Sequence, residues 1–292
     1  MDADSKIARD ESREKAKYRL GLCHYKKGNY AAASEQFAKQ AEDFPEGALY
    51  ADGRYMIAQC AWRANNFEEA FQAYTVAKPV IEEYALKDER IKKYTSPTLL
   101  NGARSGNKTG NFEKAAEMAA ALAETPDINT TVKQDALLEL GIAKIALGEN
   151  TAASAALSKA SLGDGETGAH AKALTGDIFF KEAVDAAKAG DTESSKENFT
   201  KAIDTYTDVY YGYGGKLAPA KIKSWQAYAA YEAARCYMVQ INEAEDVDKV
   251  ILTGKAIDQY QKLVSRFPEN PLVDEAKKQI SKLESIKKQF AK

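Results

Sequence analysis

The feature that most constrains this chain is the stretch from Tyr18 to Pro45, YRLGLCHYKKGNYAAASEQFAKQAEDFP. Leu20, Gly21 and His24 or Tyr25 share one face of a helix. Gly28-Asn29 then breaks it, because both residues tolerate the left-handed conformation that a helix C-terminus needs. Ala33, Phe37 and Ala41 resume at four-residue spacing and predict a second helix folded back on the first. Gly21 and Ala33 are small where two backbones must approach, and Pro45 cannot continue a helix. One such hairpin cannot bury its own apolar face; stacked copies can. A chain that carries it is therefore driven to repeat it.

The small first-helix residue recurs as Gly21, Ala58, Ala103, Gly141, Gly176 and Ala234, at unequal spacings that leave room for insertions. Asn65-Asn66-Phe67 and Gly110-Asn111-Phe112 repeat the turn. After Pro79 a charged run extends the second unit as extra helix, and Thr95-Ser96-Pro97 opens the third. Gly102 and Gly106 weaken the first helix of that third unit, each by up to about 1 kcal/mol against Ala, so it is expected to be the softest. Tyr210 to Gly215 reads as a glycine-rich loop, either a plain connector or a contact loop with exposed tyrosines. An insertion is expected near Glu243 to Asp248, and a last unpaired helix has a polar, lysine-bearing outer face.

This order of Leu-Gly, aromatics, Gly-Asn-Tyr, an Ala-rich run, Phe and Pro resembles the tetratricopeptide repeat, a helix–turn–helix unit of about 34 residues. The resemblance implies an all-α fold: one right-handed solenoid over residues 1–292, with repeats near 14–47, 51–95, 96–129, 134–163, 169–209 and 222–268 and a capping helix at 272–291. Two junctions, DFPEGALYADGRYMIAQCAW and RFPENPLVDEAKKQISKL, are similar to those of bacterial extracytoplasmic repeat proteins. These include the Tol–Pal coordinator and the outer-membrane barrel-assembly lipoprotein. That likeness implies a periplasmic or otherwise extracytoplasmic compartment, with the cytoplasm as the alternative.

Composition agrees with helix: proline is scarce at seven, and no β-branched alternating run appears. A net charge of −2 argues against a nucleic-acid or anionic-membrane partner. No apolar run reaches the roughly 20 residues of a transmembrane helix, and the opening MDADSKIARDESREK reads as a polar helix without a signal-type apolar region. Cys23, Cys60 and Cys236 make no disulfide framework and are expected to be buried small apolar residues. His24 and His170 lack ligand-spaced partners, and His24 is expected to be a satisfied core imidazole. No phosphate loop or nucleophile–base set is visible, so the chain is expected to be non-enzymatic, without metal or cofactor.

The resemblance also implies a concave surface. It is lined, in each first helix, by the residues three before and one, four and five after the small anchor. In the first three repeats these are Tyr18, Leu22, Tyr25 and Lys26; Tyr55, Gln59, Trp62 and Arg63; and Leu100, Arg104, Asn107 and Lys108. The Lys and Asn of a chaperone-type carboxylate clamp are not found at Tyr18, Leu22, Tyr55 and Gln59. The expected partner is a protein or peptide segment, acidic in character, anchored by Tyr55 and Trp62 and paired by Arg63 and Arg104. Alternatives are a structural subunit of a cell-envelope complex and a glycan-binding accessory protein.

Overall fold

The computed structural model describes residues 3–214, 217–242 and 244–290. Gly215, Glu243 and Ala291, which the expected loop, insertion and cap include, lie outside them. Among the described residues there are thirteen α-helices, one 3-10 helix and no strand. The all-α expectation holds. Contacts divide the chain into two compact units, Met1–Gly148 and Glu149–Lys292.

The first unit contains α1 (Ala3–Lys26), α2 (Tyr30–Asp43), α3 (Tyr50–Arg63), α4 (Phe67–Ala85), the 3-10 helix Glu89–Tyr94, α5 (Thr95–Thr109), α6 (Phe112–Ala123) and α7 (Thr130–Ala146). Each α-helix packs on the next in sequence, and α5 also packs on α7. The expected turns have the expected cause: Gly28 and Gly110 stand at φ +77° and +80°, and Asn65 at +59°. Gly21 is small for a stated neighbour. A Cβ there would lie 2.7 Å from the ring of Phe37, which is wholly buried.

Helix α5 corrects one expectation. Gly102 and Gly106 are contact points, both buried, where a Cβ would meet Met118 Sδ at 2.5 Å and Ala115 Cβ at 3.0 Å. Leu99, Leu100 and Ala103 are buried beside them. The glycines let α4 and α6 approach α5, so their missing side chains are part of the packing.

The second unit contains α8 (Asn150–Ala160), α9 (Glu166–Lys188), α10 (Thr192–Gly212), α11 (Ala220–Ile241), α12 (Asp246–Arg266) and α13 (Val273–Phe290). The two helices of the fourth expected hairpin, α7 and α8, thus fall in different units. Gly176 repeats the role of Gly21, with Tyr206 in place of Phe37: a Cβ would lie 2.5 Å from that ring. Both α9 and α10 are long, as the seven extra residues of the fifth repeat predict.

The Tyr-Gly segment is also corrected. Helix α10 runs through Gly212, and Tyr210 and Tyr213 are buried. The Tyr213 hydroxyl donates to Ser161 O at 3.2 Å, Gln226 Nε2 donates to Tyr213 O at 2.7 Å, and the Arg266 guanidinium lies 4.6 Å from the centre of the Tyr210 ring. Of the three tyrosines only Tyr211 is exposed, at 60 %. The glycines hid a helix end that anchors core residues.

Cys60 and Cys236 are buried as expected, but Cys23 is exposed. Cys60 sits in the corresponding slot of α3 and is covered by Ala33 and Phe37 of α2. Helix α1 packs on α2, and the same slot, with Leu20, is left open to solvent. His24 is half-buried, and its Nδ1 has no hydrogen-bond partner; it is not the satisfied core imidazole expected from its position.

Candidate functional site

The helices α1, α3 and α5 bring the residues of the expected surface into three connected groups. The first is built around a segment that sequence reasoning did not include. After α4 the chain turns into the 3-10 helix, whose Ile91 is buried with Ala51 and Ile81. This fixes Tyr94 flat against Tyr55, with ring centres 4.3 Å apart and planes 25° apart. The Tyr94 hydroxyl donates to Asp52 Oδ1 at 2.9 Å and is hydrogen-bonded to the hydroxyl of Tyr18. Arg90 Nη1 donates to both oxygens of the buried Asp52 at 3.1 Å, and its Nη2 donates to Ala48 O at 3.1 Å. Burial pushes the Tyr55 phenol up to about 12; burial, and then the charge of Asp52, does the same to Tyr18.

Tyr18 and Tyr55 therefore face the chain's own Tyr94. That end of the surface is filled from within.

The second group lies at the C-terminal ends of α1 and α3. Arg63 is exposed and its Nε donates to the Tyr25 hydroxyl at 3.3 Å. Tyr25 packs edge-on to Tyr30 at 5.4 Å. Gln59 Oε1 accepts from the hydroxyls of Tyr74 at 2.7 Å and Tyr55 at 3.3 Å, so its amide is a fixed polar point in the floor. Trp62 is half-buried against Ala58, Ala61, Ala70 and Tyr74 and meets Phe67 edge-on at 5.4 Å. It is thus partly a packing residue as well as an expected anchor of the surface. Lys108, from α5, lies 4.5 Å from the centre of the Phe67 ring.

The third group joins α5 to α7 and is closed. Arg104 donates through Nη2 to Asp135 at 2.9 Å and through Nε to Glu139 at 3.3 Å. Asn107 Nδ2 donates to Glu139 Oε2 at 2.8 Å and to Glu139 O at 2.9 Å. Burial holds the Glu139 carboxyl above the usual carboxylate range, against the lowering effect of Asn107 and Arg104. Arg104 and Asn107 are spent on this internal network. The expectation that Arg104 pairs with a partner's charge is corrected accordingly.

A comparable set exists in the second unit. The offsets used for the first three repeats, applied to Gly176 and Ala234, select Asp177, Phe180, Tyr231 and Arg235. The same offsets thus carry the signal beyond Lys108. The Asp177 carboxylate accepts from the Tyr206 hydroxyl at 2.7 Å and the Tyr228 hydroxyl at 2.9 Å. Trp225 stacks on His170 at 3.9 Å, and burial pushes the imidazole down to about 4. Arg235 donates to Glu232 at 2.7 Å and lies 5.2 Å from the centre of the Phe180 ring.

Among the described residues no group of His, Cys, Asp or Glu could hold a metal ion, and no helix is long and apolar enough to cross a membrane. Residues 18–84 match the tetratricopeptide repeat family. No curated protein matches the sequence. A tetratricopeptide repeat protein from Parabacteroides merdae is 16 % identical, with 92 % of this chain and 98 % of that chain covered and a TM-score of 0.42. A repeat protein from Bacteroides fragilis is also 16 % identical, over 81 % of this chain and 98 % of that one, with a TM-score of 0.40. A Rap protein complexed with competence and sporulation factor is 15 % identical, over 94 % of this chain and 75 % of that one, with a TM-score of 0.39. The match over residues 18–84 is to the tetratricopeptide repeat, and the hairpins with small-residue contacts, at Gly21 against Phe37 and again at Gly176 against Tyr206, have the helix–turn–helix form of that repeat.

Proposed function

We propose that the protein is a non-enzymatic scaffold that binds an acidic protein segment at the C-terminal ends of α1 and α3. The observation that carries this reading is Arg63. Its guanidinium is exposed, has the Tyr25 hydroxyl as hydrogen-bond partner, and pairs with no carboxylate among the described residues. Around it stand half-buried Tyr25 and Trp62, the fixed amide of Gln59, and the exposed cations Lys26 and Lys108. Aromatic surface beside an unspent guanidinium suits a partner that supplies a carboxylate and an apolar side chain together. Tyr94 bounds the site on the Tyr55 side, which favours a short segment over one lying along the whole helix.

The test is capture from the native source with wild type and Arg63→Glu in parallel, followed by mass spectrometry. The expected result is an acidic partner held by wild type, released by added salt, and lost in the variant. Identical captured proteins with both would refute the site. The compartment belongs to the same proposal: the Phe-Pro junctions favour an extracytoplasmic location in a bacterium, which cell fractionation checks.

A further inference from the structure

Buried carboxylates in this protein are generally matched from within. Asp52 has Arg90, Glu139 has Arg104, and Glu232 has Arg235. Glu14 is 2 % exposed, accepts from Gln40 Nε2 and the Leu49 amide, and is closed to any ligand. Asp177 differs. It is half-buried and forms no ion pair among the described residues. Its donors are two neutral phenols, Tyr206 and Tyr228, with Tyr228 reaching Oδ2 at 3.0 Å as well. The closest basic group by charge effect, Arg235, is held by Glu232 at 2.7 Å. A carboxylate accepts about four hydrogen bonds, so Oδ2 retains capacity for a donor.

The surroundings add a second contact. Tyr228, whose hydroxyl donates to Asp177, lines a cavity of about 290 Å³ together with Ser224, Trp225, Asn270, Pro271 and Leu272. Trp225 stacks on His170 and meets Tyr228 edge-on at 5.8 Å. The cavity has room for one apolar side chain, and Tyr228 joins it to the Asp177 carboxylate through the hydroxyl hydrogen bonds. An unmatched buried charge is costly, and a ligand that brings the opposite charge recovers that cost on binding.

We propose that Asp177, Tyr228 and Trp225 form a second binding site, on the unit Glu149–Lys292, for a peptide segment that carries a lysine or arginine next to an aliphatic side chain. The cation pairs with Asp177 and the aliphatic group enters the cavity beside Trp225. This site is separate from the one at Arg63 and selects the opposite charge.

The probe is a fluorescein-labelled, acetylated peptide Gly-Leu-Lys-Leu-Gly, with a twin carrying norleucine in place of lysine, titrated by fluorescence anisotropy at physiological ionic strength. Wild type is expected to bind the lysine peptide and to bind the norleucine twin at least 10-fold more weakly, the size of one charge-assisted hydrogen bond. Asp177→Asn keeps an oxygen acceptor for both phenols and removes the charge, and should abolish the difference between the two peptides. Tyr228→Phe keeps the ring and removes one competing donor, so it should bind the lysine peptide at least as well as wild type does. Arg63→Glu should change nothing, which separates this site from the first. No binding by wild type, equal binding of the twin, or an unchanged preference in folded Asp177→Asn would overturn the proposal.

Discussion

Replacing Arg104 by alanine isolates the network between α5 and α7. The Arg104 side chain is 31 % exposed and that of Glu139 12 %, so the pair is mostly desolvated. Breaking a fully buried pair from one side costs about 3–5 kcal/mol. Arg104 keeps contact with water, and the Glu139 carboxylate keeps one hydrogen bond from Asn107, so the expected cost is about 2 kcal/mol. The cost also has a sign with pH. Burial already raises the Glu139 carboxyl, and removing the guanidinium raises it further. A raised carboxyl contributes stability below the ordinary carboxylate range, and loses it as pH rises through the folded-state value. The penalty should therefore be fully present near neutral pH and shrink as the solution is made acidic enough to protonate Glu139. Urea titration at neutral and mildly acidic pH, with the helical circular-dichroism signal as readout, measures both. The double variant Arg104→Ala with Glu139→Gln should recover at least half of the loss at neutral pH, because no buried charge is left unmatched. A penalty below about 0.5 kcal/mol, a penalty equal at both pH values, or no recovery in the double variant would refute the network's role.

Three further outcomes are expected. Gly176→Ala places a Cβ 2.5 Å from the Tyr206 ring, which is wholly buried and tied to Asp177, so it should destabilise by about 1–3 kcal/mol; Gly102→Ala meets the movable end of Met118 instead and should cost clearly less, and equal melting shifts would contradict this contrast. His170 is held neutral by burial, from its ordinary 6.5 to about 4, so stability should fall as pH drops from 6.5 toward 4, and His170→Gln should flatten that part of a melting-temperature profile. Trp62→Ala should weaken partner capture by roughly 30-fold and also lower stability by about 2 kcal/mol, because half of that side chain packs inside the hairpin; binding loss with unchanged melting would show that the packing counts for little.

The hairpins were legible because their signals are local. Gly28, Asn65 and Gly110 mark turns by the backbone they permit, and Gly21 and Ala33 mark approach by size alone. Two errors came from reading glycine without its neighbours. Gly102 reads as weakness although Met118 and Tyr74 fill its space, and Gly212 reads as a loop although it closes a helix. Nothing in a glycine's own identity distinguishes a gap from a contact. The surface residues were legible as positions and not as partners. Whether Arg63 is unspent and Arg104 spent depends on Asp135 and Glu139, 31 and 35 residues further along and brought in by α7. Tyr94 stands in the sequence at the end of a charged run; its place against Tyr55 follows from the burial of Ile91, which an irregular insertion does not announce.

The open slot on α1 makes this protein unusually easy to instrument. Of its three thiols Cys23 alone is exposed, while Cys60 and Cys236 are buried and burial pushes both of those thiols up, Cys60 to about 12. A maleimide dye supplied in limited amount should therefore enter at one defined point without any engineered cysteine. Trp62 and Trp225 then serve as intrinsic donors in the first and second units, so energy transfer to a single acceptor on α1 can report separately on each half of the native chain once one tryptophan is replaced by phenylalanine.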